Sequence, residues 1–404
     1  MINDKNLIKV IYPLTGLFIF ILGAGLLTTV LQLHLKNQGF GVTIIALVTT
    51  GHYLGMILGA FKSEWFISKV GHIRAYATFA ALLSTVSVLP GIFNSSLGII
   101  ILRFIGGVCV AGLYIVVESW ILSGSSKKNR GQILSLYMIS LYVAQSSSQM
   151  FLEFFSPDDL VAYITISILT CLSILPVVLV PGTGPKLEKA SALNIFTLYR
   201  ISPSGVIGCF IAGLMQGAIY GLLPVFFAEV KYHVSNAMSL TLLGAALLQF
   251  PLGKLSDIIE RRIALILVAA LTLLSCFGII YYSYFNNPIF YAMTFLFGGC
   301  AFSLYPMSIS HACDYVDPED IVAAAQGLLF SYGIGACLGP WISSYFMLKP
   351  QGLFVFFSLS AGFLFIFFFW RTRQRTPLPR SEQQHFVTTT TTSPIVTEFN
   401  PYAK

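Results

Sequence analysis

Two ionisable residues, Arg103 and Glu118, lie within a single apolar stretch, residues 97–122. An ionisable group inside a bilayer costs roughly 2.5 to 3.5 kcal/mol on insertion scales, so it must be paired or face water. Fifteen helical residues rise about 22 Å and rotate about 60° net, so both side chains could line one cavity from opposite ends. Such a pair could bind a polar solute or exchange protons. Alternatively, Glu118 pairs with Lys127 or Lys128 beyond the helix end.

Other apolar stretches also carry polar side chains. The run from Gln145 to Gln149 has the sequence Gln-Ser-Ser-Ser-Gln, and Gln216 lies in a later stretch. These residues either line a cavity or join helices by hydrogen bonds, and the sequence does not decide between the two. Five further side chains are weaker candidates for solute contacts, because a single Tyr or His within the membrane more often serves packing: His52, Tyr114, Tyr305, His311 and Gln326.

The elements that must position these side chains are membrane-spanning helices. Of the 404 residues, 56% are apolar and only 10% are charged, and the mean hydropathy is +0.81, which excludes an ordinary soluble domain. Apolar runs of about 20 residues, each long enough to cross a ~30 Å hydrocarbon core, predict twelve transmembrane helices. The first run, 10–33, is too long for a signal peptide and is expected to remain as a span.

The charge distribution predicts the orientation. All but four of the 23 Lys and Arg residues lie on the side of the membrane that holds the N-terminus; Lys36, Lys231 and Lys349 lie opposite and Arg103 is intramembrane. Positive charge favours the cytoplasmic side, so both termini are expected in the cytoplasm. Topology also explains the net charge of +7 without a nucleic-acid partner.

The chain divides into two related halves. Gly106-Gly107 followed by Tyr114 recurs as Gly298-Gly299 followed by Tyr305 at nearly the same spacing. Such duplication suits a transporter that alternates between two openings around a central site. The predicted organisation is an N-terminal six-helix bundle, a cytoplasmic linker, a C-terminal six-helix bundle and a disordered cytoplasmic tail, at residues 1–180, 181–204, 205–370 and 371–404.

A polar loop in the second half has a recognisable pattern. Its residues Gly253, Leu255-Ser256-Asp257 and Arg261-Arg262 resemble the signature loop of the major facilitator superfamily, with Ile258 in place of the usual Arg. The resemblance implies an all-α integral membrane protein of two pseudo-symmetric six-helix bundles. It also implies secondary transport by alternating access. Arg261 and Arg262 are expected to anchor in lipid headgroups.

The same resemblance assigns Asp257 a gating role against the start of a helix in the other half, near Arg130. The first-half copy of the loop is degenerate: Lys69, Gly71 and Arg74 are retained, whereas Glu64 and Ser68 replace the Gly and Asp of the pattern. Lys69 and Arg74 are therefore expected to pair with acids before span eleven, Asp317 or Glu319, unless those acids are simply exposed.

Further motifs narrow the resemblance. Arg103 with Gly107 resembles the fourth-span motif that the family implicates in proton transfer. Together with Asn129-Arg-Gly131, Leu304-Tyr-Pro306 and Gly335–Pro340, the sequence around Glu118 is similar to the little-characterised bacterial YcaD-type branch. The last of these segments also resembles the family's antiporter motif, which belongs in span five rather than span eleven, so drug:proton antiport is not supported.

The sequence gives no indication of a cofactor, a metal site or catalysis. Seven cysteines form no Cys-x-x-Cys pair, and no phosphate-binding loop is present. We interpret the chain as a secondary transporter of a small organic solute, with protons as a candidate coupling ion, acting as a monomer in a bacterial inner membrane. The alternatives are a non-transporting sensor or scaffold, or a lipid-modifying enzyme built on Glu153, Asp158 and Asp159.

Overall fold

The computed structural model describes residues 4–93, 95–125, 130–179, 193–285, 287–317, 319–374, 383, 386 and 391–395. All regular secondary structure in these ranges is helical. The α-helices are α1 (Asp4–Asn37), α2 (Val42–Val70), α3 (His72–Val88), α4 (Ser96–Gly124), α5 (Arg130–Met150), α6 (Leu160–Leu172), α7 (Ile174–Val178), α8 (Ile195–Ile201), α9 (Pro203–Glu229), α10 (Val234–Ile258), α11 (Arg261–Tyr282), α12 (Ile289–Cys313), α13 (Ile321–Phe346) and α14 (Gly352–Thr372).

Eleven helical segments in the described residues are long and apolar enough to cross a membrane, with α6 and α7 counted as one segment. Helix α5 is not among them, although its 21 residues would extend about 31 Å. Its polar run from Gln145 to Gln149 lowers its apolarity. With α5 included, the helices reproduce the twelve spans that the sequence predicts. Helix α8 is a short addition within the segment expected to be a linker.

The chain forms two compact units. Unit 1 comprises residues 1–190 with 390–401, and unit 2 comprises residues 191–389 with 402–404. The same pairings recur in each unit: α1 packs on α5 and α2 on α4 in unit 1, while α9 packs on α13 and α10 on α12 in unit 2. The described tail residues 391–395 belong to unit 1, where the sequence led us to expect a disordered tail.

Glycines bring α9 and α13 into direct backbone contact. A Cβ atom on Gly213 or Gly217 would lie 2.1 or 2.2 Å from a carbonyl oxygen of α13. In the reverse direction, a Cβ on Gly335 or Gly339 would lie 2.0 Å from a carbonyl oxygen of α9. The Gly-x-x-x-Gly spacing places the small residues one turn apart on each helix, so the two backbones meet along two turns. The Gly335–Pro340 segment therefore has a packing role in unit 2.

Two further pairs of helices are held in backbone contact by glycines in the same way. On α10 and α12, a Cβ on Gly244 or Gly298 would approach a facing carbonyl oxygen to 2.0 or 1.9 Å. On α2 and α4, a Cβ on Gly55 or Gly107 would approach one to 2.0 or 2.1 Å. Within lipid, helix association depends on such close packing, because lipid tails are as apolar as the side chains.

We expect Gly298→Ala to destabilise the protein, because the new methyl group forces α12 away from α10 at a cost of about 1 to 3 kcal/mol. The melting temperature in detergent should fall by at least about 3 °C. Gly362→Ala on α14 is the matched control, since a Cβ there meets no described atom within 4 Å. Equal melting temperatures for the two variants would contradict the proposed packing constraint.

Candidate functional site

Helix α4 carries both ionisable candidates into the interior of unit 1. The helix begins after Ser95, whose hydroxyl accepts a hydrogen bond from the backbone N–H of Gly98 at 3.4 Å. Arg103 is 5% exposed and Glu118 is 0% exposed, so neither side chain reaches solvent or lipid to any useful extent. Both charges must be stabilised by groups within the protein.

Arg103 lies among aromatic and imidazole side chains. It interacts electrostatically with Tyr53 on α2 and Tyr163 on α6, and it also acts electrostatically on His52 of α2. Its Nε atom is buried and has no hydrogen-bond partner in the described part of the chain. The guanidinium group therefore keeps a donor that could serve a solute or a water molecule.

A second polar group lies beside Tyr163. His34, near the end of α1, is joined through Nδ1 to a carboxylate oxygen of Asp158 at 2.8 Å, and the Nδ2 of Asn37 donates to the other oxygen at 2.8 Å. Asp158 thus connects the end of α1 to the connection between α5 and α6. This bonding indicates a structural role for Asp158. The sequence had offered it as one of three acids, with Glu153 and Asp159, on which a lipid-modifying enzyme could be built.

Glu118 accepts hydrogen bonds from three hydroxyl groups. Tyr137 on α5 donates to Oε1 at 2.5 Å. Two tail residues also contribute: Thr392 donates to Oε1 and Ser393 donates to Oε2. The Tyr137 hydroxyl also lies 3.0 Å from that of Thr392. The alternative partners expected for Glu118, Lys127 and Lys128, lie outside the described residues.

The polar run on α5 joins helices. Gln149 is 2% exposed, accepts a hydrogen bond from the Thr29 hydroxyl of α1 at 2.6 Å and donates to the carbonyl of Gly25 at 3.3 Å. Ser148 donates to the backbone carbonyl of Gln145 at 2.7 Å. Of the two interpretations left open by the sequence, the geometry favours helix association for Gln149.

In unit 2, the Tyr332 hydroxyl of α13 donates to Gln216 of α9 at 3.0 Å. Tyr305 of α12 packs against Tyr332 with ring centroids 4.9 Å apart, and its buried hydroxyl has no hydrogen-bond partner among the described residues. The equivalent tyrosine of unit 1, Tyr114, packs edge-on against Phe20 at 5.6 Å. Tyr305 therefore offers an unused buried polar atom.

The signature loop is organised by Arg261. This side chain is only 1% exposed; its Nη1 donates to both carboxylate oxygens of Asp314 at 2.7 and 2.8 Å and to the Ser310 carbonyl at 2.9 Å. Its Nη2 donates to Asp257 at 3.1 Å. The expectation that Arg261 anchors in lipid headgroups is therefore wrong, because its charge is neutralised inside unit 2.

The second arginine of the loop is also mostly buried, with Arg262 9% exposed and its Nε hydrogen-bonded to Glu260. It lines a small recess with His311, Tyr315 and Arg371. His311 is itself buried and packs on Tyr315, with ring centroids 5.3 Å apart. The headgroup role expected for Arg262 is therefore also wrong.

A tail residue reaches this loop. The backbone N–H of Phe386 donates to Asp257 Oδ1 at 2.9 Å, and the Phe386 ring covers Gly253 so closely that a Cβ there would lie 2.0 Å from it. Gly253 is thus needed for the aromatic ring to reach the loop.

The first-half copy of the loop makes different contacts. Gly71 has a φ of 85°, which favours glycine, and it joins α2 to α3. The Lys69 ammonium lies over the Trp65 ring, 4.1 Å from its centroid. Arg74 is exposed near the start of α3. The expected pairing of Lys69 and Arg74 with acids before α13 stays a prediction. So does the expected contact of Asp257 with the helix start at Arg130.

Sequence reasoning missed several partners. Asp314 could have been found, because antiparallel neighbours place the end of α12 beside the start of α11, where Arg261 needs an acid. Tyr137 gave no signal beyond an aromatic residue in an apolar helix. Thr392, Ser393 and Phe386 lie in a tail whose composition is typical of disorder, so their contacts were not foreseeable.

Comparison with known proteins is consistent with this geometry. The sequence profile of the Major Facilitator Superfamily matches residues 14–328 and, in a second match, 205–400. YcaD of Escherichia coli O17:K52:H18, an uncharacterized MFS-type transporter, is 26% identical over 376 residues, covering 91% of this chain and 96% of its own. An uncharacterized MFS-type transporter of Enterobacter sp. (strain 638) is 26% identical over 381 residues, covering 92% and 97%.

Solved structures show the same fold. The nucleoside transporter NupG superposes with a TM-score of 0.75 at 14% identity, over 91% of this chain and 99% of that one. A bacterial homolog of the human lysosomal transporter Spinster superposes with a TM-score of 0.73 at 13% identity, over 92% and 98%. The resemblance inferred from the signature loop is confirmed: the chain belongs to the major facilitator superfamily of membrane transporters.

Proposed function

We propose that this protein is a secondary active transporter that moves a small organic solute by alternating access, coupled to protons, across a bacterial inner membrane. Membership of a transporter family supports the general activity and disfavours the lipid-modifying enzyme. The excess of Lys and Arg on one side supports cytoplasmic termini. The repeated helix pairings of the two units suit an exchange between two openings.

The observation that carries this proposal is the burial of Arg103 and Glu118 on one apolar helix. A sensor or scaffold on this fold would gain nothing from two buried ionisable groups that each cost several kcal/mol to insert. Arg103 keeps an unused buried donor, and Glu118 accepts hydrogen bonds from the hydroxyls of Tyr137, Thr392 and Ser393. Both arrangements suit groups that exchange partners during a transport cycle.

Proton coupling is proposed to act at Glu118. A charged carboxylate accepts hydrogen bonds at both oxygens, whereas a protonated one must donate at one of them. Uptake of a proton therefore changes how Tyr137 and the tail hydroxyls can bond to it. Arg103 lies within electrostatic range of Tyr53, Tyr163 and His52. Its own positive charge would attract an anionic group of the solute or repel a second cation.

Proton coupling can be tested by measuring solute uptake into vesicles that contain the purified protein. The solutes to test are those that raise the melting temperature of the protein when they bind. Glu118→Gln should abolish the dependence of uptake on an imposed proton gradient, because the amide cannot take up a proton. The control is Glu153→Gln, which alters an exposed carboxylate. Wild-type rates that stay uniform from about pH 5.5 to 8.5, with and without a gradient, would refute proton coupling.

The two carboxylates that contact Arg261 should differ in how much they contribute to stability. Asp314→Asn should lower thermal stability strongly, because removal of one partner from a buried ion pair costs about 3 to 5 kcal/mol. Asp257 is more exposed than Asp314 and accepts from Arg261 at the longer distance of 3.1 Å, so Asp257→Asn should lower the melting temperature much less than Asp314→Asn.

Asp257→Asn should nevertheless slow transport several-fold if the carboxylate biases the conformational equilibrium, since about 1 kcal/mol shifts it about fivefold. Initial uptake rates and melting curves of both variants test this. An unchanged uptake rate for Asp257→Asn would remove its gating role, and an unchanged melting temperature for Asp314→Asn would contradict the buried pair.

A further inference from the structure

The tail residues 391–395 pack against unit 1, with two of them buried and the other three half-buried. Ser393 is 1% exposed and Ile395 is 4% exposed, which is unusual for part of a threonine-rich tail. The backbone N–H of Ile395 donates to the Ser393 hydroxyl at 3.2 Å. This local turn fixes the hydroxyl while its own hydrogen points to Glu118.

The chemistry of the contact is specific. Thr392 and Ser393 donate to different oxygens of the same carboxylate, and Tyr137 donates to one of them from α5. Hydrogen bonds to an ionised acceptor are roughly twice as strong as those between neutral groups. Thr392 and Ser393 therefore each satisfy an acceptor oxygen of this buried carboxylate, alongside Tyr137.

We propose that Thr391–Ile395 is an intramolecular ligand of the Glu118 site and holds the transporter in a resting state until it leaves. This proposal rests on the function proposed for Glu118. A solute that binds Glu118 must displace the two hydroxyls, so it must present its own hydrogen-bond donors. The tail and the solute then compete for one carboxylate, and a high solute concentration relieves the inhibition.

A second tail contact supports this role. Phe386 covers Gly253 and donates its backbone N–H to Asp257 within unit 2. The described tail residues thus contact two acidic side chains to which we assign transport roles. A tail with only a packing function would not need to bond to both.

The docking is tested first without transport, by hydrogen–deuterium exchange of the full-length protein in detergent. In the wild type, the backbone amides of residues 391–393 and 395 should exchange at least about tenfold more slowly than those of an unstructured peptide. Ser393→Ala should restore rapid exchange, and Thr391→Val should not, because Thr391 is not a donor to Glu118 in the structure. Rapid exchange in the wild type would overturn the proposal.

Regulation is tested by uptake in vesicles. The double variant Thr392→Val, Ser393→Ala should raise the initial uptake rate at low solute concentration severalfold, and the increase should vanish at saturating solute. Protected tail amides together with unchanged uptake in the double variant would overturn autoinhibition and leave a fixed structural strap. If neither the wild type nor the double variant transports any solute that stabilises it, the proposed function fails. Hydrogen–deuterium exchange of the tail amides still decides whether the tail occupies the Glu118 site.

Discussion

Close backbone contact between paired helices is the constraint on which the rest of this structure depends. Inside lipid, burial of apolar side chains gives little drive for helices to associate, so packing and interhelical hydrogen bonds must hold them. Gly55 and Gly107 bring α2 against α4 with no side chain between the backbones. The same contact places Tyr53 and His52 of α2 beside Arg103 of α4. The glycines thus determine the surroundings of the buried charge.

Two of the buried arginines, Arg261 and Arg103, show how differently one functional group can be used. Arg261 has its charge balanced by Asp314 and Asp257, with bonds to two carboxylates and a carbonyl. Arg103 has aromatic hydroxyls and an imidazole nearby, and its Nε lacks a partner in the described part of the chain. The first arrangement stabilises a loop. The second arrangement leaves the free-energy cost of burying the Arg103 charge only partly offset, and a bound solute could offset more of it.

Much of the fold follows from the sequence, because long apolar runs have few solutions in a bilayer and helices are the simplest. The number of spans, the family and the intramembrane position of Arg103 and Glu118 could all be inferred this way. The partners of those side chains could not. The burial of Arg261 depends on the end of α12 lying beside it, and the bonds to Glu118 come from residues about 270 positions away in sequence. Composition favours disorder for that tail, and the hydroxyl contacts of Thr392 and Ser393 are tertiary, so composition does not encode them.

The polarity of α5 has a consequence for how the protein is made. A nascent segment enters the bilayer from the insertion machinery according to its own apolarity, and polar side chains near its centre oppose that step. Helix α5 is not among the segments that are apolar enough by composition, yet Gln149 is matched by Thr29 and the Gly25 carbonyl of α1. Helix α1 is synthesised before α5 and already carries the Thr29 hydroxyl and the Gly25 carbonyl. The partners of Gln149 therefore lie on a helix that is synthesised before α5, so they are present when α5 has to enter the membrane.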